Sequence, residues 1–257
     1  MRVSDITSAI EEFAPIRIQE KWDNSGLLIG TPDDEVHGVL VGFDCTPELI
    51  DEAVAVGADM VVTHHPLIFK GLKRIRRDDP VGLAVIKAVS GGVAVYAAHT
   101  TADKVMEGVS GAMAKKLGLK NVEILVPEEG GTGLGTVGDL PSPMSAEEAI
   151  DFVKKAFSLK VAKVSRPIEG KISRVAMCGG SGAEMISDAR AAGAQLYLSG
   201  DISYHNFFTP EGLMIMDIGH FESEIDITGI LFSVIRKKFP NFAVRISERM
   251  ENPVRYY

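Results

Sequence analysis

Histidine and carboxylate side chains recur in this chain where apolar strands should end. The set consists of His64, His65, His99, Asp103, His220 and Glu224. In an open α/β sheet, the carboxyl ends of the strands form the edge at which ligands bind. Imidazole nitrogens and carboxylate oxygens are common ligands of divalent metal ions. The pattern therefore predicts a metal site, and the number of donors predicts that it holds two ions.

The adjacent pair His64 and His65 must lie at a strand end if both are to bind metal. Neighbouring residues within a strand point to opposite faces, so a regular pair could not serve one site. Pro66 follows and cannot donate a hydrogen bond to a continuing ladder, which predicts that the strand ends here. Past that end the alternation relaxes, and the neighbours can serve two ions. The alternative is that each histidine is a hydrogen-bonded structural group.

Two histidine–acid pairs share a spacing of four residues. The pairs are His99 with Asp103 and His220 with Glu224. Residues at i and i+4 lie on one face of a helix, so each pair presents two donors in one direction. One such pair has a structural alternative, because the helix dipole favours acids in a first turn. The same spacing in two places favours metal binding, and Glu222 would point elsewhere.

Further residues could act beside the predicted ligands. His99 and His205 are candidate catalytic residues that would orient a metal-bound water or contact a substrate. Asp201 could be the outer hydrogen-bond partner of a ligating imidazole. Each of these three could equally be a structural hydrogen-bonding group. The turn at 179–182 has a geometry that suits an anion but lacks the lysine of a phosphate-binding loop. In the segment 22–26, the aspartate and the asparagine are expected to form a turn and a cap.

A duplicated unit would position these residues. A shift of 136 positions places residues 48–65 on residues 184–201 without a gap. In each copy an apolar strand, a helix with apolar residues at helical spacing and a second apolar strand follow one another. Such a βαβ unit should have parallel strands. The two copies are predicted to span residues 38–127 and 172–250.

The duplication sets the predicted fold class and the domains. We predict an α/β fold of two duplicated α/β units. The first domain covers residues 1–127 with an N-terminal helical segment, and the second covers residues 128–257. Residues 133–138 match a dinucleotide-binding fingerprint in form, but no helix is predicted directly after them, so we interpret them as a turn that enters a strand. Ser145 and Glu148 then predict a capped helix.

Composition limits the classes of function. The chain has 257 residues, of which 46% are hydrophobic and 24% charged, and a formal net charge of -8. This balance argues against a nucleic-acid-binding face. We interpret the basic run at 73–77 as a solvated loop, with anion steering as the alternative. Two cysteines are too few for a disulfide framework, and no apolar run reaches the length of a spanning helix. We expect a cytoplasmic protein with no membrane or nucleic-acid partner.

Four motifs of the sequence resemble those of a known family. They are WDNSGLLIG at 22–30, THHPL at 63–67, AHTTAD at 98–103 and GHFESE at 219–224. With these motifs in this order and at this spacing, the chain resembles the GTP cyclohydrolase 1 type 2 homolog family, also called the Nif-three-like family. The resemblance covers nearly the whole chain and is to the short form, which lacks an inserted domain.

The resemblance implies a Nif-three-like fold with a dinuclear metal centre in an interdomain cleft. By its motifs, His65 and Asp103 would hold one ion. His64 and His220 would hold the other, and Glu224 would bridge both. The two divalent ions could be zinc, iron, manganese or nickel, because mixed nitrogen and oxygen ligation suits each of them. The resemblance also implies a toroidal homohexamer.

Two functions from different classes fit these residues. A dinuclear site leaves positions for water and substrate, lowers the pKa of bound water and stabilises charge on an attacked centre. The first hypothesis is therefore a metal-dependent hydrolase, and the family name suggests that its small-molecule substrate is a nucleotide or a related heterocycle. The second hypothesis is a metal-binding regulatory or metal-handling protein without turnover. The sequence does not decide between them.

Overall fold

Two β-sheets organise the chain in the computed structural model, which describes residues 1–209 and 211–257. The chain divides into two units, each with one of the sheets. Unit 1 comprises Met1–Ala102 and Ile227–Pro253, and unit 2 comprises Asp103–Asp226 and Val254–Tyr257. Over the described part of the chain, no helix combines the length and the hydrophobicity that crossing a bilayer requires.

The helices and strands are numbered in chain order. The helices are α1 (Val3–Phe13), α2 (Pro47–Ala55), α3 (Pro80–Gly91), α4 (Thr100–Asp103), α5 (Val109–Lys116), α6 (Ala146–Ala156), α7 (Ile186–Ala191), α8 (His220–Glu224) and α9 (Ile227–Lys238). The strands are β1 (Gly26–Ile29), β2 (Gly38–Val41), β3 (Met60–Thr63), β4 (Ala94–Ala97), β5 (Lys120–Pro127), β6 (Gly133–Met144), β7 (Lys163–Val164), β8 (Ile172–Ser181), β9 (Leu196–Gly200), β10 (Met214–Asp217) and β11 (Ala243–Ile246).

The sheet of unit 1 has the strand order β1-β4-β3-β2-β11. β11, β2, β3 and β4 are parallel, and β1 is antiparallel to β4. Every residue of β2, β3 and β4 is buried, as expected for parallel strands that are covered on both faces. α2 and α3 connect these strands. Their starts are fixed by Thr46 and Asp79, whose side chains accept hydrogen bonds from amides of the first turn.

The sheet of unit 2 has the strand order β5-β6-β8-β9-β10-β7. β8, β9 and β10 are parallel, β6 is antiparallel to β5 and β8, and β7 is antiparallel to β10. Neighbouring residues of β8 enter different apolar clusters, Met177 one and Cys178 the other, so side chains pack on both faces. α6 begins with the predicted capping box of Ser145 and Glu148. β6 begins at Gly133, so the glycine-rich segment lies inside a strand and no helix follows it directly.

The predicted repeat is present in both sheets. In unit 1, β2, β3 and β4 are adjacent and parallel, and β1 is antiparallel to the third of them. In unit 2, β8, β9 and β10 have the same arrangement, with β7 antiparallel to the third. The predicted parallel βαβ unit is confirmed in each copy. Segments 64–65 and 200–201 both lie at the end of the second strand of their unit.

The last helix and strand of each copy belong to the other unit. β5 pairs with β6 in the sheet of unit 2, and α5 packs on β6 and β8. β11 pairs with β2 in the sheet of unit 1, and α9 contacts α1 and β2. The chain therefore divides at positions other than the predicted boundary between residues 127 and 128. Residues 103–127 join unit 2, and residues 227–253 join unit 1, because their strands form their hydrogen bonds there.

Candidate metal centre

Three histidines lie just past the ends of β3 and β4 in unit 1. His64 and His65 follow β3 directly, and His99 lies between β4 and α4. One ring nitrogen of each lies within 4.8 Å of a ring nitrogen of the other two. His64 is fully buried, and the side chains of His65 and His99 are 22% and 14% exposed. The strand ends thus bring three imidazoles into one group that could hold a metal ion, including His99, which the sequence did not assign as a ligand.

The Nδ1 atom of each of these imidazoles is held by an oxygen that accepts a hydrogen bond. The pairs are His64 Nδ1 with the Ala98 carbonyl oxygen at 3.0 Å, His65 Nδ1 with Asp44 Oδ1 at 2.7 Å, and His99 Nδ1 with Asp23 Oδ1 at 2.7 Å. Carbonyl and carboxylate oxygens only accept, so we assign the proton to Nδ1 in each ring. A neutral imidazole then has its lone pair on Nε2. This is the arrangement that outer partners impose on metal-ligating histidines.

Asp23 holds His99 through a fully buried carboxylate. The same carboxylate accepts hydrogen bonds from the Ser25 hydroxyl and from both the hydroxyl and the amide of Thr100, at the start of α4. Burial raises the pKa of Asp23, but the hydrogen bonds from His99, Thr100 and Ser25 outweigh it and hold that pKa well below its usual range. Asp23 is therefore ionised and fixes the orientation of His99.

Sequence reasoning missed two of these outer partners. It interpreted Asp23 as a turn residue, which describes its backbone surroundings but not its hydrogen bond to His99. It did not consider Asp44, which follows β2. The available signal was the predicted parallel pairing of β2 with β3, because that pairing brings the residues after both strands to the same sheet edge.

In unit 2, His220 and Glu224 lie on the short helix α8. The His220 Nε2 atom is 2.9 Å from Glu224 Oε2, and the Glu224 side chain is only 5% exposed. Two atoms that are both 2.0 to 2.1 Å from one ion lie roughly 2.8 to 3.4 Å apart, so the pair could share an ion. The Glu222 carboxylate instead folds back over the backbone of Gly219. Glu224 is thus the acid of α8 that contacts the His220 ring.

Asp201 forms a hydrogen bond with His220, which is compatible with both roles that the sequence left open for it. Its Oδ2 atom lies 2.8 Å from His220 Nδ1. Asp201 follows β9 and has a φ of 51°, a left-handed conformation that residues other than glycine and a few polar types rarely adopt. The residue is therefore held in an uncommon backbone state at the point where it contacts the imidazole. Nδ1 of His220 has the same kind of partner as Nδ1 of the three histidines of unit 1.

The glycines of segment 179–182 make room for Glu224. A Cβ atom added to Gly180 would lie 2.3 Å from Glu224 Oε1, and one added to Gly179 would lie 3.2 Å from Glu224 Cγ. A Cβ atom on Gly200, at the end of β9, would lie 2.7 Å from the backbone nitrogen of His220. α8 therefore lies close against Gly180 and Gly200, whereas the tightest contact of a Cβ atom on Gly179 would be Val109 Cγ1 of α5, at 2.2 Å.

The backbone amides of this segment donate to hydroxyl groups within unit 2. The pairs are Gly179 N with Ser110 Oγ at 3.4 Å, Gly180 N with Ser223 Oγ at 2.9 Å and Gly182 N with Ser199 Oγ at 3.0 Å. An anion at this turn would have to displace those hydroxyls. These amides therefore donate to hydroxyl groups and do not form the anion site that the sequence suggested for this turn.

Asp103 ends α4 and lies near Cys178. Its Oδ1 atom is buried. Burial raises the pKa of the Cys178 thiol, and the negative charges of Asp103 and Glu224 raise it further. Both carboxylates are therefore close to the same thiol, within unit 2. Cys178 is a buried, protonated neighbour of two of the predicted ligands.

His205 lies in a short 3-10 turn, Tyr204–Phe207, and is exposed. Its ring centroid is 5.3 Å from that of Tyr204 and 6.4 Å from that of Phe208. Among residues 1–209 and 211–257, the groups of histidines, cysteines and acids that could hold a metal do not include His205. A catalytic role for His205 stays a prediction.

The chemistry of these donors fits a divalent ion. Buried histidine, glutamate and aspartate side chains supply nitrogen and oxygen atoms, and four imidazoles have an acceptor fixed on Nδ1. Such a mixed set suits zinc, iron, manganese or nickel alike. The division of the five predicted ligands between two ions stays a prediction.

Comparison with known proteins identifies relatives over the full length of the chain. A model of the family described as Duf34/NIF3 (NGG1p interacting factor 3) matches residues 1–253. A GTP cyclohydrolase 1 type 2 homolog of Clostridium acetobutylicum is 31% identical, and the match covers 100% of this chain and 99% of that protein. A GTP cyclohydrolase 1 type 2 homolog of Clostridium perfringens is 34% identical, with 87% of each chain covered.

Solved structures share the fold. The crystal structure of the Staphylococcus aureus hypothetical protein SA1388 matches with a TM-score of 0.93 and 27% identity, covering 100% of this chain and 99% of that one. A Bacillus cereus protein related to NIF3 matches with a TM-score of 0.92 and 24% identity, covering 100% and 99%. The resemblance inferred from four motifs and the predicted Nif-three-like α/β fold are thereby confirmed. The chain belongs to the Duf34/NIF3 family.

Proposed function

We propose that this protein is a metal-dependent hydrolase that holds two divalent ions. The proposed ligands are His64, His65, Asp103, His220 and Glu224. The observation that carries the proposal is the shared state of the imidazoles at the strand ends. In His64, His65 and His220, Nδ1 is held by a carbonyl or carboxylate oxygen, which presents Nε2 as the ligand atom. The exposed His37 has the same kind of contact, with Asp59, so the orientation supports the proposal together with the gathering of imidazole nitrogens of His64, His65 and His99 within 4.8 Å of one another.

The carboxylates supply the charge that two divalent cations require. Asp103 and Glu224 both come from unit 2, where their charges act on the same thiol. The imidazoles of unit 1 would supply nitrogen atoms as ligands. Bound ions would activate a water molecule as nucleophile and stabilise charge on the attacked centre.

His99 would move the proton in this reaction. Its Nδ1 atom is fixed by the ionised Asp23, so its Nε2 atom is the one that can accept a proton from an attacking water. Its ring lies in contact with those of His64 and His65, with centroid distances of 5.4 Å to each. His99 is thus proposed as a proton carrier beside the ligands rather than as a ligand.

The proposed substrate class is a nucleotide or a related heterocycle. The support for it is the name that the curated relatives carry, GTP cyclohydrolase 1 type 2 homolog. The homohexamer that the motifs imply belongs to the same proposal. Light scattering would test it, with an expected mass six times that of the 27.6-kDa chain.

The test of the function is turnover by metal-loaded protein on a panel of nucleotides, pterins and phosphoesters. We expect at least one panel member to be hydrolysed in a reaction that chelation abolishes and metal restores. The His65→Ala variant should lose that activity while circular dichroism shows the fold retained, because a side chain past a strand end adds little to the apolar core. If fully loaded protein turns over nothing on the panel, the metal-binding regulatory or metal-handling function replaces this proposal.

A further inference from the structure

The only tryptophan of the chain, Trp22, is exposed and in contact with another exposed aromatic residue. The exposed fractions are 59% for Trp22 and 44% for Phe69, and the ring centroids are 5.7 Å apart at an interplanar angle of 49°. Two exposed rings in contact offer a ligand a large apolar area that would leave water when it is covered. The pair, here called the aromatic platform, lies wholly within unit 1.

The aromatic platform is fixed beside His99. The His99 ring centroid is 5.9 Å from that of Trp22 and 6.0 Å from that of Phe69, in edge-on geometry to both. The residues that follow Trp22 fix this arrangement, since Asp23 holds the His99 ring and Asn24 Nδ2 donates to the Ile68 carbonyl oxygen at 2.5 Å. One short motif therefore ties the two rings and the imidazole together. A planar ring stacked on the platform would be a neighbour of the His99 imidazole.

A basic segment begins directly after the platform. Residues 70–77 contain two lysines and three arginines and no acidic residue, and all of them are exposed. Asp78 and Asp79 follow the segment and Arg76 is paired with Asp78, so the cations that the segment offers are Lys70, Lys73, Arg74 and Arg77. Lys70 adjoins Phe69, which puts a cation within one residue of the platform. The natural ligand of such a segment is an anionic group such as a phosphate.

We propose that the aromatic platform stacks the planar heterocycle of the substrate and that segment 70–77 binds its phosphate. The proposal rests on the proposed function for the reaction and adds the residues that recognise the substrate. Base stacking on aromatic side chains tolerates many rings, since each has a π-face, while the phosphate contact selects anionic ligands. The sequence favoured a solvated loop for the basic run at 73–77 and left anion steering as the alternative. A substrate stacked on the adjacent aromatic platform would bring its phosphate to that loop.

The sole tryptophan makes the site directly observable. Trp22 fluorescence would be measured while guanosine 5′-monophosphate, guanosine or ribose 5-phosphate is added, with free tryptophan as the absorbance control. We expect the two ligands that contain the ring to quench Trp22 and ribose 5-phosphate to leave it unchanged. The monophosphate should bind more tightly than guanosine, and only its affinity should fall as salt is raised. Equal quenching by ribose 5-phosphate, or none by the monophosphate, would overturn the proposal.

Variants separate the platform from the basic segment. Phe69→Ala should weaken binding of both ring-containing ligands about 10- to 100-fold, which is the usual loss on removing a stacking ring. Phe69→Tyr should retain most of the affinity for these ligands. The double variant Lys70→Ala and Lys73→Ala should weaken the monophosphate and leave guanosine unchanged. Ile75→Ala in the same segment and Lys237→Ala elsewhere in unit 1 are the matched controls, and an equal loss in either control would contradict the assignment.

Two other results have distinct meanings. Binding with the expected variant pattern but no turnover would leave this site standing and remove the hydrolase. Turnover without any change in Trp22 fluorescence would leave the hydrolase standing and remove this binding site. A second copy of the chain is the competing occupant of the platform. If Trp22→Ala lowers the mass measured by light scattering and calorimetry shows monophosphate binding unchanged, the platform is an interface and the proposal fails.

Discussion

The strand ends of the two units differ in chemistry although the strands that lead to them are arranged alike. In unit 1 the second parallel strand ends at the imidazoles of His64 and His65. In unit 2 the second strand ends at Gly200 and Asp201, which provide room for a helix and a carboxylate. The third strand of each unit leads to a histidine and, four residues later, to an acid. Duplication thus preserved the sheet while the residues beyond it diverged.

The candidate ligands of the two units differ, since unit 1 offers only imidazoles whereas unit 2 offers one imidazole and two carboxylates. Unit 1 holds a group of three imidazoles, each with its Nδ1 atom held by an oxygen that accepts a hydrogen bond. Unit 2 holds one imidazole with Glu224 against it and Asp103 close to the same thiol. At the position that supplies a ligand candidate in unit 1, His65, unit 2 has Asp201, which orients an imidazole instead. Equivalent positions of a repeat can therefore serve as ligand in one copy and as outer partner in the other.

The largest expected effect follows from removing the charge of unit 2 at Glu224. Glu224→Gln keeps the size of the side chain but leaves a neutral amide where a buried carboxylate faces His220. We expect metal affinity to fall by more than about 100-fold, because changes to outer partners alone cost about 10- to 100-fold. The measurement is metal content after dialysis at fixed free metal. Glu222→Gln is the control, and two retained ions in Glu224→Gln would refute the bridging role.

A substitution that removes no donor should have the next largest effect. Gly180→Ala places a Cβ atom 2.3 Å from Glu224 Oε1 and so should displace that carboxylate. Gly193→Ala is the matched control, since Gly193 also has positive φ, 74° against 61°, but has open space around it. Both variants bear the left-handed strain of roughly 1 to 2 kcal/mol. Only Gly180→Ala should lose metal, so equal metal loss in both variants would exclude displacement of Glu224 as the cause.

The outer partners of the two units should have smaller and similar effects. Asp44→Asn and Asp201→Asn each leave a neutral group beside the Nδ1 atom of His65 or of His220. We expect each to weaken metal binding about 10- to 100-fold. Asparagine tolerates the left-handed conformation of residue 201, so the backbone there should persist. Competition with a chromophoric chelator would measure both, and unchanged affinity in either would show that its histidine does not bind metal.

The smallest expected effect on metal is that of His99→Ala. The imidazole belongs to the group of three histidines in unit 1, but we propose that it carries a proton and does not bind a metal ion. Metal content should stay at the wild-type level, while turnover of any substrate found on the panel should fall about 100-fold or more. Loss of one ion in this variant would make His99 a ligand and would change the count of donors in unit 1.

Much of the fold was predictable because the repeat preserves runs of apolar residues. A shift of 136 positions aligned the second strand of each copy, and buried parallel strands have the apolar composition that this alignment detects. This alignment could not predict that the last helix and strand of each copy join the sheet of the other unit. β5 and β11 end their copies with similar local patterns, and a local pattern does not say which sheet a strand will join.

The candidate ligands were predictable where local spacing shows them. His64 and His65 stand next to a proline after an apolar run, and the pairs beginning at His99 and His220 have a helical spacing. Outer partners come from distant segments, and Asp23 lies 76 residues from the imidazole that it holds. No periodic pattern connects such residues, since only the paired sheet and the folded motif bring them together.

Metal analysis of the purified chain tests the central claim most directly. Protein prepared without chelator, and again after loading with zinc or manganese and dialysis, would be measured by elemental mass spectrometry against protein concentration. If the five proposed ligands hold two divalent ions, loaded protein will contain about two ions per chain. One ion per chain, or none after loading, would contradict the account.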